Sequence, residues 1–419
     1  MTLYASKRAP RQGSPIIEQP VPHARVRTKK RVVHGWYFPS SSGRRECSSE
    51  RILVNPYNGC SVNCPECYAR AYRGYFEQWD RCGVITVFED IDRKLRDELS
   101  KLHYASCGYF SPVTDPFQHP LEETYHLSER CMDVFLDLDL PVEFVTKNGS
   151  RVPERLLVRM SEHPYHDCFC QYTILSLDDE VRKHFSPGGS TPEEQLRAVR
   201  RSKDHGLYTA VRIDPILPGI NDSESNLLSL VEAVKLNGGD HVIASVCDVN
   251  VKSMGAVLAA VRSFSTDAFG LWRSLYNERM GSSYHASIGY RRLVFQRLRS
   301  ICDRHGLTFA LCMEFSKSGK LCRGLNCEYM SSKVCEGKCV PVYRRERLAD
   351  RFKPIEGCDG DCLSCARGIQ VPSCGKSVLA EARALTFSDY LRLKPDRELF
   401  DLPSNWKKAN IPSGEQRSM

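Results

Sequence analysis

Six short runs of β-type residues, separated mostly by longer stretches with helical spacing, confine this chain to one group of architectures. The runs are RILVN (51–55), CGYFS (107–111), PVEFVT (141–146), CFCQYTIL (168–175), YTAVRID (208–214) and HVIAS (241–245). Between them, DIDRKLRDELSKL (90–102), LSERCMDVFLDL (127–138), VPERLLVRMSE (152–162), TPEEQLRAVRRSKDHG (191–206) and DSESNLLSLVEAVKLNGG (222–239) repeat apolar residues at helical intervals. Several of these open on Asp, Ser or Thr, and the last two close on Gly. Strand and helix in alternation build a parallel sheet covered by helices. The count predicts an α/β fold, an open, partial (β/α)6 barrel over residues 50–306. VITVF (84–88) reads as a short edge strand, and YRRLVFQRLRSICDRHG (290–306) as a closing amphipathic helix.

The chain of 419 residues carries 20 cysteines. No stretch approaches the length of an apolar membrane span, and the N-terminus lacks the apolar core of a signal peptide. The expected location is therefore the cytoplasm, with no membrane partner. Thiols stay reduced there, so this many point to metal or redox chemistry rather than disulfides. Cys60, Cys64 and Cys67, in CSVNCPEC, stand at a C-x3-C-x2-C spacing on the loop leaving the first strand. Three thiolates occupy three irons of a four-iron, four-sulfur cluster and leave the fourth iron open to a ligand from outside the protein. A zinc site would need a fourth ligand.

Beyond residue 306, cysteine, glycine and charge replace periodicity. Residues 307–419 are expected to form a small cysteine-rich C-terminal domain held by metal. Cys358, Cys362 and Cys365 repeat the first spacing, and Cys374 offers a fourth thiolate. This set suits a coordinatively closed auxiliary [4Fe-4S] cluster, and too little chain follows it to build a cavity. Cys312, Cys322, Cys327, Cys335 and Cys339 form a second group, for a further cluster or a zinc ion. Four thiolates on zinc would staple the segment equally well, so iron-sulfur and zinc both remain open here.

The net charge is +8, and much of it falls in HARVRTKKRVVH (23–34). Residues 1–49 read as a basic, partly flexible arm. With Trp36, Tyr37 and Phe38 following, such an arm suits a phosphate backbone, and a solvated tail is the alternative.

The wording LVNPYNGCSVNCPECYAR, with Tyr68 directly after the third cysteine, resembles the signature of the radical S-adenosylmethionine (SAM) superfamily. NPYxGC...CYAR is similar to the branch that contains spore photoproduct lyase. The resemblance continues in order through SPVTDPFQHPLEE (111–123), FVTKNGSRVPERLL (144–157), YTILSLDDEVRKHFSPGGSTPEEQLRAV (172–199) and RIDPILPGIND (212–222).

It implies a [4Fe-4S] cluster whose open iron is chelated by the methionine amine and carboxylate of SAM. Reductive cleavage then yields a 5'-deoxyadenosyl radical that abstracts a substrate hydrogen. Carried over by position, Tyr68 lies near the adenine or the cluster. Thr114 and Asp115 end the second strand, Lys147 meets the SAM carboxylate, Thr173 stands near the ribose, and Asp214 sits at the barrel mouth. Asp115 and Asp214 precede prolines and would also serve as turn residues, and Lys147 as a surface lysine.

One departure stands out. The branch's cysteine three residues before the strand-two aspartate is Pro112 here, so hydrogen return by that thiol is not expected. The tail resembles auxiliary-cluster extensions that aid substrate positioning or electron transfer. The implied partners are an electron donor such as flavodoxin or ferredoxin and a small-molecule, nucleoside or peptide substrate. Two alternatives stand beside this reading: a nucleic-acid repair or modification enzyme of the spore photoproduct lyase type, and a non-catalytic zinc-containing nucleic-acid-binding protein.

Overall fold

Seven parallel strands lie side by side in chain order: β1 (Arg51–Val54), β2 (Cys107–Phe110), β3 (Val142–Thr146), β4 (Phe169–Thr173), β5 (Tyr208–Ile216), β6 (His241–Val246) and β7 (Thr308–Leu311). The computed structural model describes residues 3–4, 21–35, 51–110, 113–318, 321–361, 373–380 and 385–395. The register pairs Ile52 with Gly108, Phe110 with Phe144, Val211 with both Tyr172 and Val242, and Ile243 with Ala310. Most of these strand residues are buried, as expected where helices cover the outer face of a parallel sheet.

The expected barrel is present with one strand more than the six counted. β7 lies past the boundary expected near residue 306. Its four residues, TFAL, follow directly on a helix and merge into the cysteine-rich stretch, so they offer no periodic signal.

The helices include α1 (Ile91–Leu99), α2 (Leu127–Leu136), α3 (Glu154–Ser161), α4 (Pro192–Asp204), α5 (Glu224–Leu236), α6 (Met254–Phe264), α7 (Thr266–Leu275) and α8 (Ile288–Arg304). Their ends follow local chemistry. Thr191 and Glu194 form a reciprocal capping box before α4, with Pro192 at its first position, and Ser223 caps α5 through the Asn226 amide. A small antiparallel sheet of Val249–Asn250, ahead of α6, with Ser283–His285 and Glu278–Met280, between α7 and α8, forms a roof over the C-terminal ends of the strands.

The run at 84–88 is not an edge of the main sheet. Ile85–Phe88 pairs in parallel with His23–Val26 and antiparallel with Tyr57–Asn58. Residues 23–35 of the expected flexible arm are thus built into the fold. Arg25 pairs with Glu89 at 2.6 Å, and Arg31 lies 3.7 Å from Glu98 and over the Phe387 ring. The amides of Val32 and Val33 both donate to Glu98. Trp36, Tyr37 and Phe38 lie outside the described residues.

The C-terminal segment docks at the opposite end of the barrel from the cysteine loop. Tyr343–Arg344 pairs with Tyr104–Ala105, just ahead of β2. His241, the first residue of β6, donates from Nε2 to the Cys335 carbonyl at 2.9 Å. Glu336 reaches Arg51, at the start of β1, at 3.0 Å. Arg51 also pairs with Glu143, which accepts from Gln171, which accepts in turn from Arg212. This buried polar network runs up the barrel interior from a base that the 335–337 segment plugs.

Candidate active site

The loop leaving β1 carries Cys60, Cys64 and Cys67 and ends in a 3-10 turn at Tyr68–Ala71. Gly59 enters it at φ +96°, and a Cβ there would lie 2.7 Å from the Trp79 ring, so the approach requires glycine. Arg70 holds the loop closed: Nε donates to the Cys64 carbonyl at 2.9 Å, Nη2 to Asn63 at 2.8 Å, and the guanidinium lies over Trp79. From the other side, the Gly188 amide donates to the Val62 carbonyl at 3.0 Å.

The three thiols line a cavity of about 670 Å³ at the C-terminal ends of the strands. Tyr68, Thr114, Asp115, Lys147, Thr173 and Asp214 all line it too. Asp115 is buried, and its carboxylate accepts from the Phe117 amide at 3.0 Å, the Thr146 hydroxyl at 2.9 Å and the Lys147 amide at 2.7 Å. Its own amide donates to the Cys60 sulfur at 3.5 Å. Asp115 therefore brackets the first cysteine to Lys147. The Lys147 ammonium donates to the Ser186 hydroxyl at 2.9 Å and lies 3.7 Å from Glu66. Burial opposes its charge, but Cys64, Glu66 and Cys67 around it raise its pKa above the ordinary lysine value.

Thr173 ends β4, with its carbonyl accepting from Gln195 at 2.9 Å. Asp214 accepts from Arg212 at 2.5 Å and from the Ser245 hydroxyl. Cys312 is also here. It follows β7, lines the cavity and accepts from Arg212 Nη2 at 2.8 Å. The Cys312 amide donates to the Ala244 carbonyl at one end of β6, whereas Cys335 meets His241 at the other, three strand steps or about 10 Å along the strand.

Cys327 is exposed on a short helix, its thiol turned to the Gly324 carbonyl. Cys358 accepts from the Val342 amide near the barrel base. Cys374 lies close to Lys376, whose ammonium sits over Tyr104 there. Cys362 and Cys365 lie outside the described residues, as does the side chain of Cys322; so does Pro112.

Sequence reasoning missed Glu66, Arg212 and Cys312 as cavity residues. For Arg212 a signal existed, since it stands two residues before Asp214 and shares its face of the strand.

The residues present fit a cluster with SAM. Burial pushes all three thiols up, Cys67 to about 12, so they become thiolates only beside strong positive charge such as iron. Among the described residues no three His, Cys, Asp or Glu side chains gather tightly enough for a single ion, whereas each thiol of a cluster binds its own iron. Thr114 Oγ1 and Glu66 Oε2 are buried with no hydrogen-bond partner, on residues that line the cavity. Such groups are costly unless a ligand satisfies them.

No protein-family model matches the chain. It is similar to a radical SAM Nalpha-GlyT isomerase of Pseudomonas phage M6, 27% identical over 390 residues, covering 89% of this chain and 79% of the relative. An uncharacterised protein of Mycobacterium tuberculosis is 23% identical over 261 residues, covering 61% of this chain and 75% of that protein. Among solved structures, a mutant of spore photoproduct lyase superposes with a TM-score of 0.51 at 14% identity, covering 69% of this chain and 82% of that one. The same lyase complexed with dinucleoside spore photoproduct gives 0.50 at 14% identity, with the same coverage. At these identities the structural likeness shows the fold. Fold, cysteine loop and curated relative agree on the class: this is a radical SAM enzyme. The chain is similar in sequence to a radical SAM enzyme, and its likeness to spore photoproduct lyase is one of fold. Among the described residues no helix is long and apolar enough to cross a membrane.

Proposed function

We propose that this enzyme cleaves SAM reductively at a [4Fe-4S] cluster held by Cys60, Cys64 and Cys67, and abstracts hydrogen from a substrate in the same cavity. The observation that carries this reading is the convergence of all three thiols and all six signature-matched residues on one cavity. When bound, the cluster and SAM supply one-electron cleavage to a 5'-deoxyadenosyl radical. The chain's own residues bind, orient and exclude water. Lys147 meets the SAM carboxylate, with Ser186 and Glu66 fixing its ammonium. Tyr68 lies beside the adenine, Thr173 faces the ribose, and Thr114 offers its unpaired hydroxyl. Asp115 keeps Cys60 and Lys147 in register, and Asp214 with Arg212 forms the substrate-side wall.

The name of the phage relative supports a net isomerisation, in which the abstracted hydrogen is matched by one returned. We place the end of the barrel domain at β7, with the cysteine-rich region capping its base. Cys358, Cys362, Cys365 and Cys374 hold an auxiliary [4Fe-4S] cluster or zinc in this proposal. Docking at the base favours stapling or electron relay over substrate anchoring, because the substrate cavity opens at the other end. A donor such as flavodoxin or ferredoxin supplies the electron.

A second reading keeps the chemistry and makes the substrate a nucleic acid. It is favoured by the likeness of the fold to spore photoproduct lyase complexed with dinucleoside spore photoproduct. The test is electron paramagnetic resonance of the anaerobically reconstituted, dithionite-reduced protein. SAM at an open iron shifts the cluster signal, and a signal indifferent to SAM contradicts the assignment.

A further inference from the structure

Five carboxylates line the cavity, from Glu66, Asp115, Asp214, Asp248 and Glu314. Four of them are matched. Lys147 lies 3.7 Å from Glu66, two amides and a hydroxyl donate to Asp115, Arg212 donates to Asp214 at 2.5 Å, and Arg291 donates to Glu314 at 2.8 Å. Asp248 forms no ion pair among the described residues, and the Ser283 hydroxyl and its own amide stand beside it. Arg291, whose charge reaches Asp248, is committed elsewhere: its guanidinium also donates to Glu278 at 2.9 Å and to the carbonyls of Ala286 and Phe315 at 2.8 and 2.7 Å. Burial and the Asp214 charge raise the Asp248 pKa, the mark of a carboxylate whose charge lacks an opposite partner.

The roof strand Ser283–His285 sets a second polar group beside it. Strand alternation turns Ser283 and His285 to the cavity and Tyr284 away, where the Arg279 guanidinium lies over its ring. Val249 pairs with Tyr284 and Asn250 with Ser283, so continuing the ladder by one residue puts Asp248 opposite His285. His285 is 7% exposed, and its imidazole makes no hydrogen bond among the described residues. Burial and the Arg291 guanidinium hold its pKa down, to about 3. It therefore stays uncharged at neutral pH, offering a nitrogen acceptor but no counter-ion for Asp248. Tyr72 completes the surroundings. Burial, Cys67 and Asp248 raise its hydroxyl to about 12, which places it between the cysteine loop and Asp248. It packs edge to face on Tyr68 at 5.9 Å, and both rings line the cavity.

A carboxylate without a cation, an uncharged imidazole without a donor and two aromatic rings share one ligand chemistry, that of an ammonium group. We propose that Asp248 and His285 form an amine subsite: the substrate carries a protonated amino group whose charge meets Asp248 and one of whose hydrogens is donated to His285. The inference rests on the reading of this cavity as the reaction site. SAM carries an ammonium group too, but its amino-acid end is the part that meets the cluster and Lys147, which leaves Asp248 to the substrate.

The test is titration of the reconstituted, SAM-loaded full-length protein with benzylamine, benzyl alcohol and benzoate, read by saturation-transfer nuclear magnetic resonance. These probes share one ring and differ in charge. Wild type should bind benzylamine at least about tenfold more tightly than benzyl alcohol, the scale of one charge-assisted hydrogen bond, and benzoate least. Asp248→Asn should abolish that preference, His285→Phe should weaken benzylamine at least about threefold, and both should keep SAM affinity within about twofold of wild type. Circular dichroism and iron content confirm that the variants are folded, and the wild-type preference reads the subsite without any variant. The proposal is overturned by equal or no binding of amine and alcohol to wild type, by a preference that survives Asp248→Asn, by unweakened benzylamine binding in His285→Phe, or by a matching loss of SAM affinity. Release of 5'-deoxyadenosine by the wild type without any amine is measured in parallel. Failure there counts against the radical chemistry and leaves the binding result to stand by itself.

Discussion

Asp115 shows how one side chain can serve a cofactor without touching it. Its two oxygens satisfy two backbone amides and one hydroxyl, and its amide faces the Cys60 sulfur. Burial raises its pKa, while the bonds from Lys147, Thr146 and Phe117 hold it down. Replacing it by alanine leaves these donors buried without an acceptor. Asp115→Ala should cost about 2–4 kcal/mol by the price of unsatisfied buried groups, read in a denaturant titration, and should lower iron per chain. Unchanged iron retention would show that the bracket does not matter. At this scale the sequence was legible where a motif speaks directly. Cys60, Cys64, Cys67 and the six matched residues meet in one cavity. Glu66 and Cys312 were not legible, because nothing local marks a glutamate inside a cysteine loop, or a cysteine after an unrecognised strand, as facing a cavity.

Strand and helix order was readable from periodicity and caps, and the helices expected at 191–206 and 222–239 are α4 and α5 with small end shifts. What failed were elements whose stability is tertiary. β7 has four residues and forms because β6 offers an open edge. The roof sheet is made of two- and three-residue strands. The docking of the tail rests on His241, whose ring donates to Cys335 and meets Thr308. Burial lowers the pKa of His241 to about 4, from 6.5 in the unfolded chain. The unfolded state therefore takes up a proton first, and stability falls as pH drops from 6.5 toward 4. The total loss is of the order of 3 kcal/mol, at about 1.4 kcal/mol per pKa unit. Thermal melts of wild type and His241→Gln should converge over that window, with the variant showing the shallower slope. Parallel pH profiles would remove His241 from the account.

For the whole molecule, the two ends of the barrel do different work. The base is closed by the cysteine-rich segment through Glu336, Arg51 and Glu143, and the mouth holds the cysteine loop and the cavity. The first triplet stands on a loop at the strands' C-terminal ends, and Cys358, the described member of the second, lies near the base. Spacing alone does not separate them; the barrel built after the first triplet does. The central claim is that the first triplet makes this chain a SAM-cleaving enzyme. Its most direct test is 5'-deoxyadenosine production by the anaerobically reconstituted protein with dithionite and SAM, beside a Cys60→Ala/Cys64→Ala/Cys67→Ala variant. The wild type should release 5'-deoxyadenosine and the variant none. A cluster-replete wild type that releases none, or a variant that releases as much, contradicts it.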